Sequence, residues 1–160
     1  MNDQNKAHIV TAVAVIARED GRILLLKRAA HEKVYPSCFT FPGGKVEGND
    51  TLLETLAKEV SEECGLTLKS GAILIKEKAI GRPDGATSKS LSFLCEVVST
   101  EDIVLDEHDF TEYMWADMSE LKTVEHVGIE AEFVKAALIL NSGVDRALFA
   151  VDTDKVDFRA

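Results

Sequence analysis

The stretch from Phe41 to Leu66 constrains this chain most: Phe-Pro-Gly-Gly leads into a segment of helical periodicity that closes at Gly65. Asn49, Asp50 or Thr51 supplies an N-cap and Gly65 a C′ stop, so the spacing predicts a helix over 51–64. At about 100° per residue, Leu53, Leu56, Ala57, Val60 and Cys64 share one face, as wide as a core-facing helix needs. Glu59, Glu62 and Glu63 fall on a separate face beside it. Carboxylates at i, i+3 and i+4 repel one another, so a face that serves only solubility usually intersperses lysines. Oxygen ligands alone suit a hard cation, Mg²⁺ or Mn²⁺, rather than zinc. The glycines upstream permit a tight turn that exposes main-chain carbonyls and amides. A simply solvated acidic face is the competing reading of the triplet taken alone.

Charge enters because its distribution is uneven. The 160 residues carry 18 Lys plus Arg against 28 Asp plus Glu, a formal net charge of −10. Residues 44–66 hold six acids and two bases, and residues 101–120 hold eight acids and no base. A field of this sign repels phosphate and disfavours a nucleic-acid duplex bound through a broad basic face. With 46% hydrophobic residues there is apolar material for one packed core, and one domain over 1–160 is the expected organisation.

Elsewhere the pattern predicts strands at 8–17 and 22–28 joined as a β-hairpin by Glu19-Asp20-Gly21, and a short strand over 39–41. Further strands are expected over 72–80 and 91–98, separated by a loop at 81–89, and a short one over 113–116. A second helix is expected over 127–140, closed by Asn141-Ser142-Gly143. Residues 144–160 have weak periodicity and are left unassigned. The order of elements indicates an α/β or α+β sandwich with helices against a mixed sheet.

Residues 44–66, GKVEGNDTLLETLAKEVSEECGL, resemble the 23-residue Nudix box of the Nudix hydrolases. Gly44, Glu59, Val60, Glu62, Glu63, Gly65 and Leu66 match that signature in spacing and type, and Phe41-Pro42-Gly43 looks like its usual entry. Two positions depart: Asp50 stands where the family has Glu, and Lys58 where it has Arg. Lysine keeps the charge but lacks the planar fork that holds a carboxylate at two points.

The resemblance implies a Nudix fold, a mixed β-sheet sandwiched between helices. It also implies a Mg²⁺-dependent (or Mn²⁺-dependent) pyrophosphohydrolase acting on a nucleoside diphosphate derivative, a nucleoside triphosphate or similar nucleotide. By that analogy Gly44, Glu59, Glu62 and Glu63 hold the metal, with Glu62 the first choice of water-activating base and Glu59 beside it. The family commonly adds a carboxylate from the loop before a Trp-containing strand; Glu107 fits best, with Asp106, Asp109 and Glu112 as rivals. Arg28 and Lys45 are candidates for steering substrate phosphates. Tyr35, Phe39, Phe41 and Phe93 are candidate base-stacking rings or core residues. His108 reads as a surface residue or one that supports a ligand rather than as a ligand itself, and Trp115 as core packing rather than a substrate platform. The rival function is a non-catalytic Nudix-fold nucleotide-binding module. A third reading, an acidic interaction protein, predicts that Mg²⁺ leaves the thermal midpoint unchanged.

Cys38, Cys64 and Cys95 form no C-x-x-C pair, so neither a disulfide framework nor structural zinc is expected. The apolar run Ile9–Ala17 is too short to span a bilayer. A cytoplasmic protein with a small-molecule partner and no membrane partner is the expectation. The sequence is compatible with a homodimer and does not require one.

Overall fold

The computed structural model describes residues 8–81 and 83–158; residues 1–7, 159–160 and Arg82, in the predicted 81–89 loop, lie outside the described residues. Among the described residues seven strands, β1 His8–Ile16, β2 Ile23–Arg28, β3 Phe39–Thr40, β4 Gly43–Lys45, β5 Ile73–Gly81, β6 Thr87–Cys95 and β7 Phe110–Ala116, form two sheets. The first has order β4-β1-β6-β5, with β1 and β6 parallel and the other pairs antiparallel. The second is antiparallel, β3-β2-β7. The helices are α1 Leu52–Cys64, α2 Met118–Leu121 and α3 Glu130–Leu140, followed by a 3₁₀ turn at Arg146–Phe149.

Alternation along β1 and β2 explains the layering. Ala12, Ala14 and Ile16 join Leu24 and Leu26 in a core under Leu56, Val60 and Cys64 of α1. The intervening Val15, Ala17, Ile23 and Leu25 join Phe39 and Phe41 in a second core with Leu121, Ile129, Phe133 and Ala136. Strands of both sheets feed both cores, so the sheets make one middle layer with α1 on one side and α2 and α3 on the other. The expected sandwich of a mixed sheet between helices is what the chain forms.

The predicted 8–28 hairpin is corrected. A tight turn does link the strands, with Arg18 N–H donating to the Arg22 carbonyl, and Ala17 bridges Ile23. Beyond that bridge β1 and β2 part into different sheets. Both strands are apolar on both faces, and a strand buried on two sides takes partners from distant segments rather than a one-sided hairpin. The predicted 91–98 strand begins earlier, at Thr87, and ends at Cys95; β1 and β5 flank it and pair its polar start. The strand expected over 113–116 extends back to Phe110.

Helix α1 forms nearly as predicted. Thr51 is the N-cap, its hydroxyl accepting from Glu54 N–H while the Glu54 carboxylate accepts from Thr51 N–H. Gly65 closes the helix with φ 69°, and its N–H donates to the Ser61 carbonyl. Two expectations are corrected: Ala57, expected on the core face, is exposed, and Glu63, expected on the acidic face beside it, is buried with Thr55 next to Leu56 and Val60. The second helix starts at Glu130 rather than 127, because Val127 N–H donates to the Phe39 carbonyl instead. The unassigned C-terminal stretch is anchored: Arg146 pairs with Glu96, Val151 N–H donates to the Ala72 carbonyl, and Lys155 meets Glu54 at 3.0 Å.

Candidate active site

The site is assembled where β4 meets α1. Strand β4 pairs with β1 so closely that a Cβ on Gly43 would lie 2.5 Å from the Ala12 carbonyl oxygen. A Cβ on Gly44 would fall within the Glu59 carboxyl group, 2.6 Å from Oε1. Only glycine lets backbone and carboxylate approach like this. One turn along α1, Glu63 is 8% exposed, and Gly43 N–H donates to its Oε1 at 2.8 Å. Glu59 is half-buried and Glu62 exposed, so the three carboxylates run from interior to solvent along one helix face.

The electrostatics of this arrangement are unfavourable without a cation. Burial pushes the Glu63 carboxyl up to about 8, against the lowering effect of the Gly43 hydrogen bond, and Glu59, Asp109 and Asp106 add to the rise. Glu59 is raised by burial first and by Glu62 second. The last turn of α1 carries no basic residue, so Glu62 and Glu63 face the negative end of the helix dipole. Backbone bonds enforce the crowding: Val104 N–H donates to the Cys64 carbonyl at 3.0 Å and Asp106 N–H to the Glu63 carbonyl at 2.9 Å. The acidic loop is thereby fastened to the acidic end of the helix.

Comparison with known proteins bears on this geometry. The NUDIX domain profile matches residues 7–137. The chain belongs to the Nudix family. This Nudix chain is 32% identical over 120 residues to nucleoside triphosphatase NudI of Salmonella agona, covering 69% of the chain and 84% of that protein. It is 33% identical over 94 residues to an ADP-ribose pyrophosphatase of Methanocaldococcus jannaschii, covering 59% of the chain and 54% of that relative's length. A crystal structure of a MutT protein from Methanosarcina mazei Go1 superposes with TM-score 0.63 at 25% identity, over 81% of this chain and 91% of that one. The solution structure of the E. coli ORF135 protein shares the fold at TM-score 0.67 and 21% identity, over 89% of this chain and 98% of that one. The expected reaction class, a Nudix pyrophosphohydrolase, follows from the family and these relatives.

The Nudix chain places the remaining candidates unevenly. Gly44 lies against the Glu59 carboxyl group and Glu59 is close enough to raise Glu63, while Glu62 is exposed and acts on Glu59. Glu107 is exposed in the turn before β7, and among that loop's carboxylates it is Asp109 and Asp106 that act on Glu63. Glu112 is exposed on β7, where it pairs in register with Lys27. Lys45 ends β4, is exposed, and forms no ion pair with any described residue. Arg28 is engaged: it donates to the Val34 carbonyl at 2.9 Å and meets Glu32 at 3.3 Å. Phe39, Phe41 and Phe93 are only 5%, 5% and 1% exposed, which makes them core; Tyr35 is exposed. Trp115 packs on the core with the Arg18 guanidinium 5.1 Å from its ring.

The two departures from the family pattern sit at the edge of the site. Lys58 pairs with Glu47 at 3.7 Å, and its charge also counters the rise at Glu59. Asp50 N–H donates to the Glu47 carbonyl. Sequence reasoning overlooked Gly43 as a donor to Glu63 and the backbone docking of residues 104–106. The apolar run Ile103-Val104-Leu105 inside the acidic stretch was the available signal for that docking.

Proposed function

We propose that this protein hydrolyses a phosphoric anhydride bond in a nucleoside triphosphate or related nucleoside diphosphate derivative, with Mg²⁺ as the working cation and Mn²⁺ as a substitute. The observation that supports it most is the buried Glu63 carboxyl, fixed by Gly43 N–H beside Glu59 and raised to about 8 by its surroundings. A proton relieves such a group below about pH 8, and a dication relieves it as the carboxylate. The donor set fits a hard ion, being all oxygen: the Gly44 carbonyl, Glu59, Glu62 and Glu63, with Glu107 from the facing loop. When bound, the cation neutralises phosphate oxygens and lowers the pKa of water.

The chain's own groups then divide the work. Glu63 is held in one orientation by its hydrogen bond, and Gly44 leaves space for Glu59. Glu62 reaches solvent and takes the proton from the attacking water, with Glu59 next to it on the helix face. Lys45, exposed beside the glycine turn and without an ion pair among the described residues, draws the substrate phosphates in against the background of net charge −10. Arg28 shapes the 29–37 loop through Val34 and Glu32, and approaches phosphate only if the Glu32 pair opens. The three cysteines are free thiols, as suits a reducing cytoplasm, and no helix among the described residues is long and apolar enough to cross a membrane.

The preference for a nucleoside triphosphate rests on the broader match to NudI than to the ADP-ribose pyrophosphatase. Incubation with Mg²⁺ and a panel of nucleoside triphosphates, ADP-ribose and dinucleotide polyphosphates, with phosphate and pyrophosphate quantified, tests the proposal. Turnover of a triphosphate above the other compounds is expected. Binding without turnover across the panel leaves the non-catalytic module instead.

A further inference from the structure

A cluster of metal-ligating groups that includes two histidines lies beside the carboxylate site, with Asp109, one of the carboxylates that raise Glu63, at the boundary between them. His31, His108 and Asp109 each offer one ligand atom, and these atoms all lie within 4.8 Å of one another. The His31 and His108 rings meet edge to face with centroids 5.0 Å apart, and His108 Nδ1 is 2.9 Å from Asp109 Oδ1. Both histidines are exposed and Asp109 is half-buried, so the ligand atoms are open to solvent at low cost of desolvation.

The backbone fixes this meeting. At the end of the β2–β7 ladder Ala29 N–H donates to the Asp109 carbonyl at 2.8 Å, which places the segment containing His31 against the turn containing His108. On one side Glu32 N–H donates to the Ala29 carbonyl and closes a turn around His31. On the other, His108 N–H donates to Asp106 Oδ1, and Asp109 and Phe110 N–H both donate to the Asp106 carbonyl. A ligand set held on two pinned turns loses less conformational freedom on binding than one carried on free loops.

We propose that His31, His108 and Asp109 form a site for a borderline divalent transition metal, with Zn²⁺ the reference ion, separate from the all-oxygen site of α1. Two imidazoles and one carboxylate are a donor set for zinc-type ions and a poor one for Mg²⁺, which prefers oxygen and keeps its water. Three protein ligands leave a fourth position for water or an anion. The ion ties the loop after β2 to the loop that is bonded to the end of α1.

The full-length protein is titrated with Zn²⁺ in a large excess of Mg²⁺, so that the oxygen site is occupied, and zinc is read by competition with a chromophoric chelator. One zinc per chain is expected in the wild type. Loss of an outer partner of a metal ligand alone typically weakens binding 10–100-fold, so His31→Ala and His108→Ala should each weaken zinc by at least ~100-fold. Both side chains are exposed, and circular dichroism should show unchanged folding. Glu59→Gln should retain zinc, and Co²⁺ should give a visible absorption band in the wild type that is missing from both histidine variants. Zinc should raise the thermal midpoint of the wild type and leave that of His108→Ala unmoved. Equal zinc affinity in the wild type and both histidine variants, zinc lost only with Glu59→Gln, or no zinc retained against Mg²⁺ would each overturn the proposal.

Discussion

Replacing Glu63 by glutamine should make the cation-free protein more stable at alkaline pH while abolishing its activity. In the folded chain the Glu63 carboxyl keeps its proton to about pH 8, whereas its ordinary value is 4.5. Between those values the folded state binds a proton that the unfolded state has released, so stability falls as pH rises through this window. Above pH 8 the penalty is complete; below 4.5 it is absent. One pKa unit is worth ~1.4 kcal/mol, so the interval sets a ceiling of ~5 kcal/mol. Effective dielectric responses inside proteins reduce such figures, and we expect about 2–3 kcal/mol. Glutamine keeps the volume and an oxygen to accept from Gly43 N–H, but carries no charge to desolvate. Urea unfolding in EDTA at pH 5 and pH 9 measures the effect. The variant should match the wild type at pH 5 and exceed it at pH 9, and added Mg²⁺ should stabilise only the wild type. A variant destabilised equally at both pH values, or a wild type with no pH slope, refutes the reasoning.

Three further outcomes follow from the same geometry. Gly44→Ala puts a Cβ into the Glu59 carboxyl group and should lower kcat at least ~10-fold by displacing that ligand, with a urea midpoint close to wild type. Thr51→Ala removes the capping box of α1 and should cost about 1 kcal/mol, seen as a thermal midpoint ~2–4 °C lower, with kcat nearly unchanged. Glu62→Gln, at an exposed position, should leave stability within ~0.5 kcal/mol of wild type yet reduce turnover by ~10²-fold or more, the scale of a lost general base. Activity within a few-fold of wild type in that variant would remove Glu62 from the mechanism.

Local chemistry made α1 legible and long-range pairing hid much of the rest. Thr51, Glu54 and Gly65 act within one turn of their own positions, so both ends of α1 could be read from sequence spacing. Strand β4 could not: Gly43-Gly44-Lys45 has the composition of a turn and becomes a strand because β1 lies close enough to demand glycine. The separation of β1 from β2 depends on β6 and β7, some 70 or more positions away, and no spacing rule contains that information. The acid face was legible as a set of three residues. Its gradient, buried Glu63, half-buried Glu59 and exposed Glu62, depends on how α1 is rotated against β4 and β1.

The acidic stretch 101–120 shows why a charge count needs coordinates before it acquires meaning. Its eight acids do not act together. Asp117 and Glu120 form the capping box of α2 and hold Arg22, at 3.8 and 3.1 Å. Glu101 and Asp102 are exposed on the approach to the loop. Asp106 and Asp109 are the two that raise Glu63, and they are there because the Val104 and Asp106 amides bond to the last carbonyls of α1. A helix end needs partners for its carbonyls, and an uncharged loop would provide the same amides without the repulsion. This chain places carboxylates there instead, against a helix turn that carries two more and no base. Such an arrangement is destabilising on its own and becomes favourable once a divalent cation sits among the oxygens. The stability withheld from the cation-free fold is therefore a measure of what the cation returns, and the difference between wild type and Glu63→Gln at pH 9, with and without Mg²⁺, reads both quantities in one experiment.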